Sequence, residues 1–175
     1  KLPAKVGLTV GEMLQAAREG QVKAMWIVGE NVAMSDPDSH HVVEALNKLD
    51  FLVVQELFMT ETAELADVVL PAASFAEKDG TFSNTERRVQ RVRKAIEPVG
   101  ECRTDWDIVC DVAKRLGAKA GFDFKSAEAI MEEIASLTPQ YAGITYARID
   151  AKGLQWPVPN KEHPGTPILH TQQFT

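Results

Sequence analysis

Three short apolar runs, separated by segments with helical periodicity, constrain the fold of this chain more than any other feature. The runs cover residues 23–28, 51–54 and 67–70, and the last is stopped by Pro71. Buried strands of a parallel sheet have this length and composition. Because strands that alternate with helices are typical of βαβ units, we predict an α/β fold with a doubly wound, mostly parallel sheet flanked by helices.

Capping residues indicate where the helices begin. Thr9 with Glu12 and Thr104 with Asp107 have the spacing of capping boxes, and Ser126 has the character of an N-cap. The predicted helices cover residues 10–19, 39–49, a short segment that begins at Thr60, 105–116 and 126–136. We leave residues 77–96 loosely assigned, because the five basic residues from Arg87 to Lys94 blur any alternation there.

The length of 175 residues, of which 45% are hydrophobic, suits one core. We therefore predict one α/β domain over residues 1–150, followed by an extended, proline-rich arm over residues 151–175. The chain begins without Met and ends in a proline-rich segment, so we expect a fragment of a longer protein.

Composition argues against several classes of function. The net charge of −6 argues against nucleic-acid binding. No apolar run has the length of a membrane span, and the first residues lack a signal peptide, so a cytoplasmic protein is expected. Cys102 and Cys110 lack the spacing of a zinc or iron–sulfur site, and no nucleophile or Gly-rich motif is present. We predict neither catalytic residues nor metal ligands in this chain.

Polar residues follow the first two predicted strands. Glu30 and Asn31 follow the first, and Gln55 and Glu56 follow the second, with the predicted helix start at Thr60 close behind. In an open parallel sheet, ligands bind beyond the carboxyl ends of the strands, and a helix N-terminus favours anions. A carboxylate accepts two hydrogen bonds from guanine, so Glu56 is a candidate guanine-binding residue, although a solvated glutamate at a strand end is the ordinary alternative.

The charged residues further along the chain have ordinary explanations when taken alone. Lys78 lies between two acidic residues and is expected to be solvated, while Asp105 complements the dipole of its helix. The arginines from Arg87 to Arg93 are flanked by Glu86 and Glu97, so we expect them to form ion pairs rather than a binding patch.

Five segments together resemble a known family. They read GEN (29–31), VVQELFMTETA (53–63), ADVVLP (66–71), EKDGTFSNTERRVQ (77–90) and TDWD (104–107). Their content, order and spacing resemble the molybdopterin oxidoreductases, and most of all the catalytic subunit of formate dehydrogenases. The HPGTPIL segment (163–169) is similar to the stretch that leads to that subunit's C-terminal domain.

The resemblance implies a role for the predicted site. In the family, two pterin-guanine dinucleotides (bis-MGD) chelate molybdenum or tungsten, and this region holds the guanosine diphosphate end of one of them. The resemblance makes Asn31, Gln55, Glu56, Lys78 and Asp105 contacts of the cofactor. It therefore reverses the ordinary explanations of Lys78 and Asp105. With the strand-end residues Glu30 and Thr60, these form the predicted cofactor-binding set.

The resemblance also implies what lies elsewhere. The family's iron–sulfur cysteines, metal-ligating residue and formate-handling residues belong to other parts of the subunit, so the fragment is expected to be inactive. The parent would oxidise formate to carbon dioxide and pass two electrons on, with the remaining domains and the electron-transfer subunits as partners. Two alternatives stay open: a non-catalytic structural domain, as in the largest peripheral subunit of respiratory complex I, and a piece of a nitrate reductase.

Overall fold

A computed structural model describes residues 4–174 of the chain. The described residues fall into two compact units. Unit 1 contains residues 4–72 and 100–105, and unit 2 contains residues 73–99 and 106–174. This division differs from the predicted boundary at residue 150.

Unit 1 is built around a parallel three-stranded sheet. Its strands are β1 (Ala24–Val28), β2 (Phe51–Glu56) and β3 (Val68–Pro71), in the order β1-β2-β3. Three helices belong to it: α1 (Val10–Arg18), α2 (Val32–Ser35) and α3 (Ser39–Leu46). All three predicted strands are present, and the predicted α/β fold class is confirmed.

One face of this sheet carries the core of unit 1. Leu52 and Val54 of β2 are buried against Leu14 of α1 and Val42 and Leu46 of α3. Side chains alternate between the two faces of a strand, which explains why every second residue of β2 enters this core. Helices α1 and α3 therefore cover the same face of the sheet.

Local hydrogen bonds explain the helix ends of unit 1. The Thr9 N–H donates to Glu12 Oε2 at 2.7 Å, as the capping box predicts. Helix α3 ends at Leu46, three residues earlier than predicted, with Asn47 as its C-cap. The helix predicted after Thr60 is wrong in type: it is a single 3₁₀ turn, Ala63–Leu65.

Unit 2 contains an antiparallel sheet with its own core. Its strands are β4 (Gly80–Ser83), β5 (Arg88–Val92) and β6 (Leu154–Gln155), in the order β4-β5-β6. Helix α4 (Asp105–Arg115) belongs to unit 2 from residue 106 onward. It is followed by α5 (Ala127–Leu137) and α6 (Tyr146–Ile149). The buried core residues are Val89, Met131, Ile144, Tyr146, Ile149 and Val158.

The segment predicted as an extended arm is part of unit 2. Residues 154–155 form β6, which pairs with β5, and Val158 is fully buried. Arg87, whose φ is 67°, directs its guanidinium to the backbone oxygens of Trp156 and Thr166. Backbone carbonyl groups of this segment thus accept hydrogen bonds from Arg87, and the assignment of residues 151–175 to an arm that leads toward a further domain stays a prediction.

The basic run forms the predicted ion pairs. Arg88 Nε lies 2.7 Å from Glu86 Oε1, and Arg93 lies 2.5 Å from Asp150 Oδ1. Arg91 lies with its guanidinium carbon 3.7 Å from the centroid of the Tyr146 ring, a cation–π geometry that the sequence did not indicate.

Among the helices within residues 4–174, none is long and apolar enough to cross a membrane.

Candidate functional site

The carboxyl ends of β1 and β2 meet at one edge of the unit 1 sheet. Gly29 follows β1 with a φ of 63°, and its N–H donates to the backbone oxygen of Gln55 at 2.9 Å. A positive φ at this point is easily adopted only by glycine. The bond holds the first strand end, with Glu30 and Asn31, beside the second, with Gln55 and Glu56.

The Asn31 side chain is held by two residues that sequence reasoning missed. Its Nδ2 donates to Glu61 Oε2 at 2.7 Å, which lowers the pKa of Glu61. Its Oδ1 accepts from Thr62 Oγ1 at 2.7 Å and from Thr62 N–H at 3.2 Å. The buried Thr62 hydroxyl also accepts from Ala33 N–H at 3.0 Å. The Asn31 amide is thus fixed in one orientation, with its second N–H as the remaining donor.

Gln55 is a fully buried amide at the end of β2. Its Nε2 donates to Asp105 Oδ1 at 2.8 Å, so two predicted site residues that are fifty positions apart are in direct contact. Its Oε1 is buried and has no hydrogen-bond partner among the residues that the structure describes. Leaving such an oxygen unsatisfied costs about 1–3 kcal/mol, so this position favours a ligand that brings a donor.

Glu56 lies at the last position of β2. Its backbone oxygen accepts from Ala72 N–H at 3.1 Å, and its Oε1 accepts from Leu57 N–H at 2.6 Å. An ionised carboxylate has about four acceptor positions, so most of its capacity remains after this one bond. The side chain is half-buried, which suits contact with a ligand as well as with water.

Glu30 and Thr60 have local partners. Glu30 Oε1 accepts from Ser35 Oγ at 2.5 Å, and Thr60 Oγ1 accepts from Ala63 N–H at 3.2 Å. Because the helix after Thr60 is a single 3₁₀ turn, the strong anion-binding helix N-terminus expected there is not formed. The assignment of both residues to the cofactor stays a prediction.

Lys78 belongs to unit 2, where its neighbour Glu77 fixes the local chain. The Glu77 carboxylate accepts from Ser74 N–H at 2.6 Å and from Val99 N–H at 2.9 Å. Both backbone donors lower the pKa of Glu77, and the Ser74 N–H has the larger effect. Ser74 and Glu77 form a capping box, and their three-residue spacing is a signal that the sequence carries. The predicted contact of Lys78 with a cofactor stays a prediction.

The described part of the chain holds no cluster of three or more histidine, cysteine or acidic residues that suits a metal ion. Cys102 and Cys110 are free thiols.

Residues 1–115 match the family described as molybdopterin oxidoreductase. The chain belongs to this family. The match covers every predicted site residue, from Glu30 to Asp105, and the resemblance read from the five sequence motifs is confirmed.

Several relatives of the chain are described as formate dehydrogenase subunits. The chain is similar to the F420-dependent formate dehydrogenase 1 subunit alpha of Methanococcus maripaludis, with 55% identity over 96% of this chain and 25% of the relative. It is also similar to the F420-dependent formate dehydrogenase subunit alpha of Methanocaldococcus jannaschii, with 53% identity over 96% of this chain and 25% of the relative. The chain thus spans about a quarter of the length of these relatives.

A solved structure supports the fold. Acetylene hydratase from Pelobacter acetylenicus matches 83% of this chain and 20% of its own with a TM-score of 0.66 and 22% sequence identity. At this identity the likeness extends to the fold alone, which agrees with the parallel α/β sheet of unit 1.

Proposed function

We propose that this chain is the part of a formate dehydrogenase large subunit that holds the guanosine diphosphate end of one pterin-guanine dinucleotide. The observation that carries the proposal is the buried Gln55 Oε1, which has no partner in the described part of the chain. It lies at the strand end that also carries Glu56, and its amide is oriented by Asp105. Family membership independently implies a molybdopterin cofactor in the parent.

The residues of unit 1 fit the nucleoside part of such a cofactor. Guanine offers two neighbouring donors, N1–H and the exocyclic amine, and the ribose offers hydroxyl donors. Glu56 suits the pair of guanine donors, and Gln55 Oε1 suits one further donor. Glu30 and Asp105 add carboxylates that favour hydroxyl groups. Adenine presents an acceptor where guanine has N1–H, so this acceptor-rich set favours guanine.

Phosphate groups need donors and positive charge instead. Asn31 keeps one amide N–H, and we assign Lys78 of unit 2 as the charged contact of the diphosphate. Thr60 completes the proposed set with a hydroxyl that already accepts one hydrogen bond.

The bound cofactor would supply a molybdenum or tungsten centre that takes two electrons from formate as carbon dioxide forms. In our proposal this chain binds and orients one arm of the bis-MGD cofactor, and the reacting residues lie in other parts of the subunit. The isolated chain is then inactive. The parent passes its electrons to partner subunits in the cytoplasm.

Nucleotide titration of the purified chain tests this proposal. Calorimetry with GMP, GDP, AMP and ADP should show GDP binding at least about tenfold more tightly than ADP, which corresponds to about 1.4 kcal/mol. Glu56→Ala should remove most of that preference. Glu19→Ala is the matched control, because Glu19 is an exposed carboxylate at the end of α1.

An unchanged guanine preference in Glu56→Ala would contradict the assignment of Glu56. Equal affinity of the unaltered chain for all four nucleotides would contradict guanine binding and would favour a structural domain of the kind found in complex I. A nitrate reductase piece would bind guanine equally well, and the observation against it is that the named relatives are formate dehydrogenases.

A further inference from the structure

A pocket on unit 2 concentrates positive charge. Its volume is about 440 Å³, which lies within the roughly 300–1,000 Å³ of small-molecule sites. Among residues 4–174, those that line it include Arg88, Arg148 and Lys152 and no acidic residue. We call it the Arg148 pocket. Since the chain has a net charge of −6, a basic pocket runs against its overall composition.

Arg148 carries a charge that no carboxylate cancels within the described part of the chain. Its Nη2 donates to the backbone oxygen of His163 at 2.6 Å, and its Nη1 donates to the backbone oxygens of Gly143 and Asn160. These three acceptors are neutral, so the guanidinium is fixed in position but keeps its charge. An arginine has five N–H donors, so the Nε–H and one N–H of Nη2 remain for a ligand.

The other two cations of the Arg148 pocket differ in how far they are neutralised. Arg88 Nε lies 2.7 Å from Glu86 Oε1, so a carboxylate of the same chain already offsets its charge. Lys152 is exposed, and its ammonium forms no ion pair with any residue in the range 4–174. The pocket therefore keeps two uncancelled charges, one on the fixed Arg148 guanidinium and one on the flexible Lys152 side chain.

The wall opposite to these cations in the sequence, formed by Pro164, Gly165 and Pro167, is held by hydrogen bonds. Thr166 N–H donates to the backbone oxygen of Gln155 at 2.8 Å, and Thr166 Oγ1 donates to that of Pro157 at 2.7 Å. Gly165 is buried and has a φ of 100°, a conformation that favours glycine. The wall is thus formed before a ligand enters, which lowers the entropy cost of binding.

We propose that the Arg148 pocket binds the phosphate group of a small organic phosphate. Such a group carries about −1.5 to −2 charges at pH 7, which matches the two uncancelled cations, and its oxygens suit the free N–H groups of Arg148. A carboxylate has a single charge and would leave one cation unpaired. The apolar side chains of Leu154 and Pro164 and the remaining volume suit a small organic part of the ligand.

This inference does not rest on guanine binding. The Arg148 pocket lies in unit 2, whereas Gln55 and Glu56 lie in unit 1. Lys78, the proposed contact of the cofactor diphosphate, does not line the pocket. Because GDP and ADP carry the same phosphate groups, binding here would add equally to the affinity of both and would leave a guanine preference unchanged. The two proposals can therefore fail separately.

Titration of the purified chain with inorganic phosphate at constant ionic strength tests the proposal. Two-dimensional NMR follows the backbone amides of Gly153 and Gly165 and the Nε–H of Arg148. We expect saturable shifts of these signals with a Kd of about 1 mM. Acetate, the carboxylate probe, should bind at least about fivefold more weakly because it has a single charge.

Substitutions locate the binding. Lys152→Gln removes one of the two uncancelled charges and should raise the Kd for phosphate at least about fivefold. Lys119→Gln is the matched control, because Lys119 is an exposed lysine of unit 2 that does not line the pocket. Arg148→Lys keeps the charge but loses the planar fork and should raise the Kd about tenfold. If Arg148→Lys does not fold, the comparison of Lys152→Gln with Lys119→Gln decides.

Three outcomes would overturn the proposal. Equally large shifts with sodium chloride at the same ionic strength would show that charge screening alone causes them. Equal affinities for phosphate and acetate would contradict the choice of a phosphate group. Equal Kd values in Lys152→Gln and Lys119→Gln would show that phosphate does not bind in the Arg148 pocket.

Discussion

Gln55 and Asp105, fifty residues apart in the sequence, are joined by a 2.8 Å hydrogen bond from Gln55 Nε2 to Asp105 Oδ1. The bond ties the end of β2 to the first residue of α4. Because Gln55 is fully buried, its amide is a neutral donor in a position where a second carboxylate would be unfavourable.

Gln55→Glu should therefore lower the free energy of unfolding by about 2–4 kcal/mol at pH 8. Burial and the nearby Asp105 would raise the pKa of the introduced carboxyl in the folded state. The folded state then holds its proton more tightly than the unfolded state, so the penalty grows as pH rises above about 4.3. Urea unfolding at pH 5 and pH 8 measures it. Gln55→Met is the uncharged control. A loss of unfolding free energy in Gln55→Glu that is the same at both pH values would contradict the raised pKa of the introduced carboxyl.

Thr62→Val should cost about 2 kcal/mol of unfolding free energy. The substitution keeps the shape but removes the hydroxyl that donates to Asn31 Oδ1 and accepts from Ala33 N–H. Both groups would then lose a buried partner. Thr60→Val, which removes one capping bond to Ala63, should cost less than about 1 kcal/mol. Urea denaturation of the two variants compares them directly, and equal costs would contradict the assigned network.

Glu77→Gln should make the stability of unit 2 less dependent on pH in the acid range. The N–H donors of Ser74 and Val99 lower the pKa of Glu77 below its ordinary value of 4.5 in the folded state. Stability from this carboxylate is thus present above pH 4.5 and is lost as pH falls through the folded pKa. Thermal unfolding between pH 7 and pH 3 should show a shallower loss in the variant. Identical pH profiles would show that Glu77 does not contribute.

Gly143→Ala should destabilise unit 2 by more than about 2 kcal/mol. A Cβ atom at Gly143 would lie 1.9 Å from the backbone oxygen of Asn160, so the chain would have to move. Gly11→Ala, in α1, meets nothing within 4 Å and should stabilise the chain by roughly 0.5–1 kcal/mol. Calorimetric melting of both variants checks that the two changes in stability have opposite signs. An unchanged stability of Gly143→Ala would contradict the close approach of Gly143 to the Asn160 backbone.

The sequence was sufficient to predict the parallel sheet, because the apolar runs that form β1, β2 and β3 have the length of buried strands and are too short for ordinary helices. It also placed Asn31, Gln55 and Glu56 correctly at the strand ends, since strand ends follow from strand positions. The contact between Gln55 and Asp105 could not be predicted, because no local pattern links residues so distant. Strand β5 could not be predicted, because its basic residues blur the alternation of polar and apolar side chains, and the contact of Arg91 with the Tyr146 ring joins residues that are distant in the sequence.

The return of the chain to unit 1 at residues 100–105 has a consequence for synthesis on the ribosome. Gln55 is made fifty residues before its partner Asp105, and ribosomes add about 5–20 residues per second. For roughly 3–10 seconds the nascent sheet therefore carries a buried amide whose partner has not yet been synthesised. Termination of synthesis between residues 73 and 104 would yield a unit that has all three strands of its sheet but lacks Asp105, the partner of Gln55. Incompletely folded units of this kind expose apolar surface and are bound by chaperones.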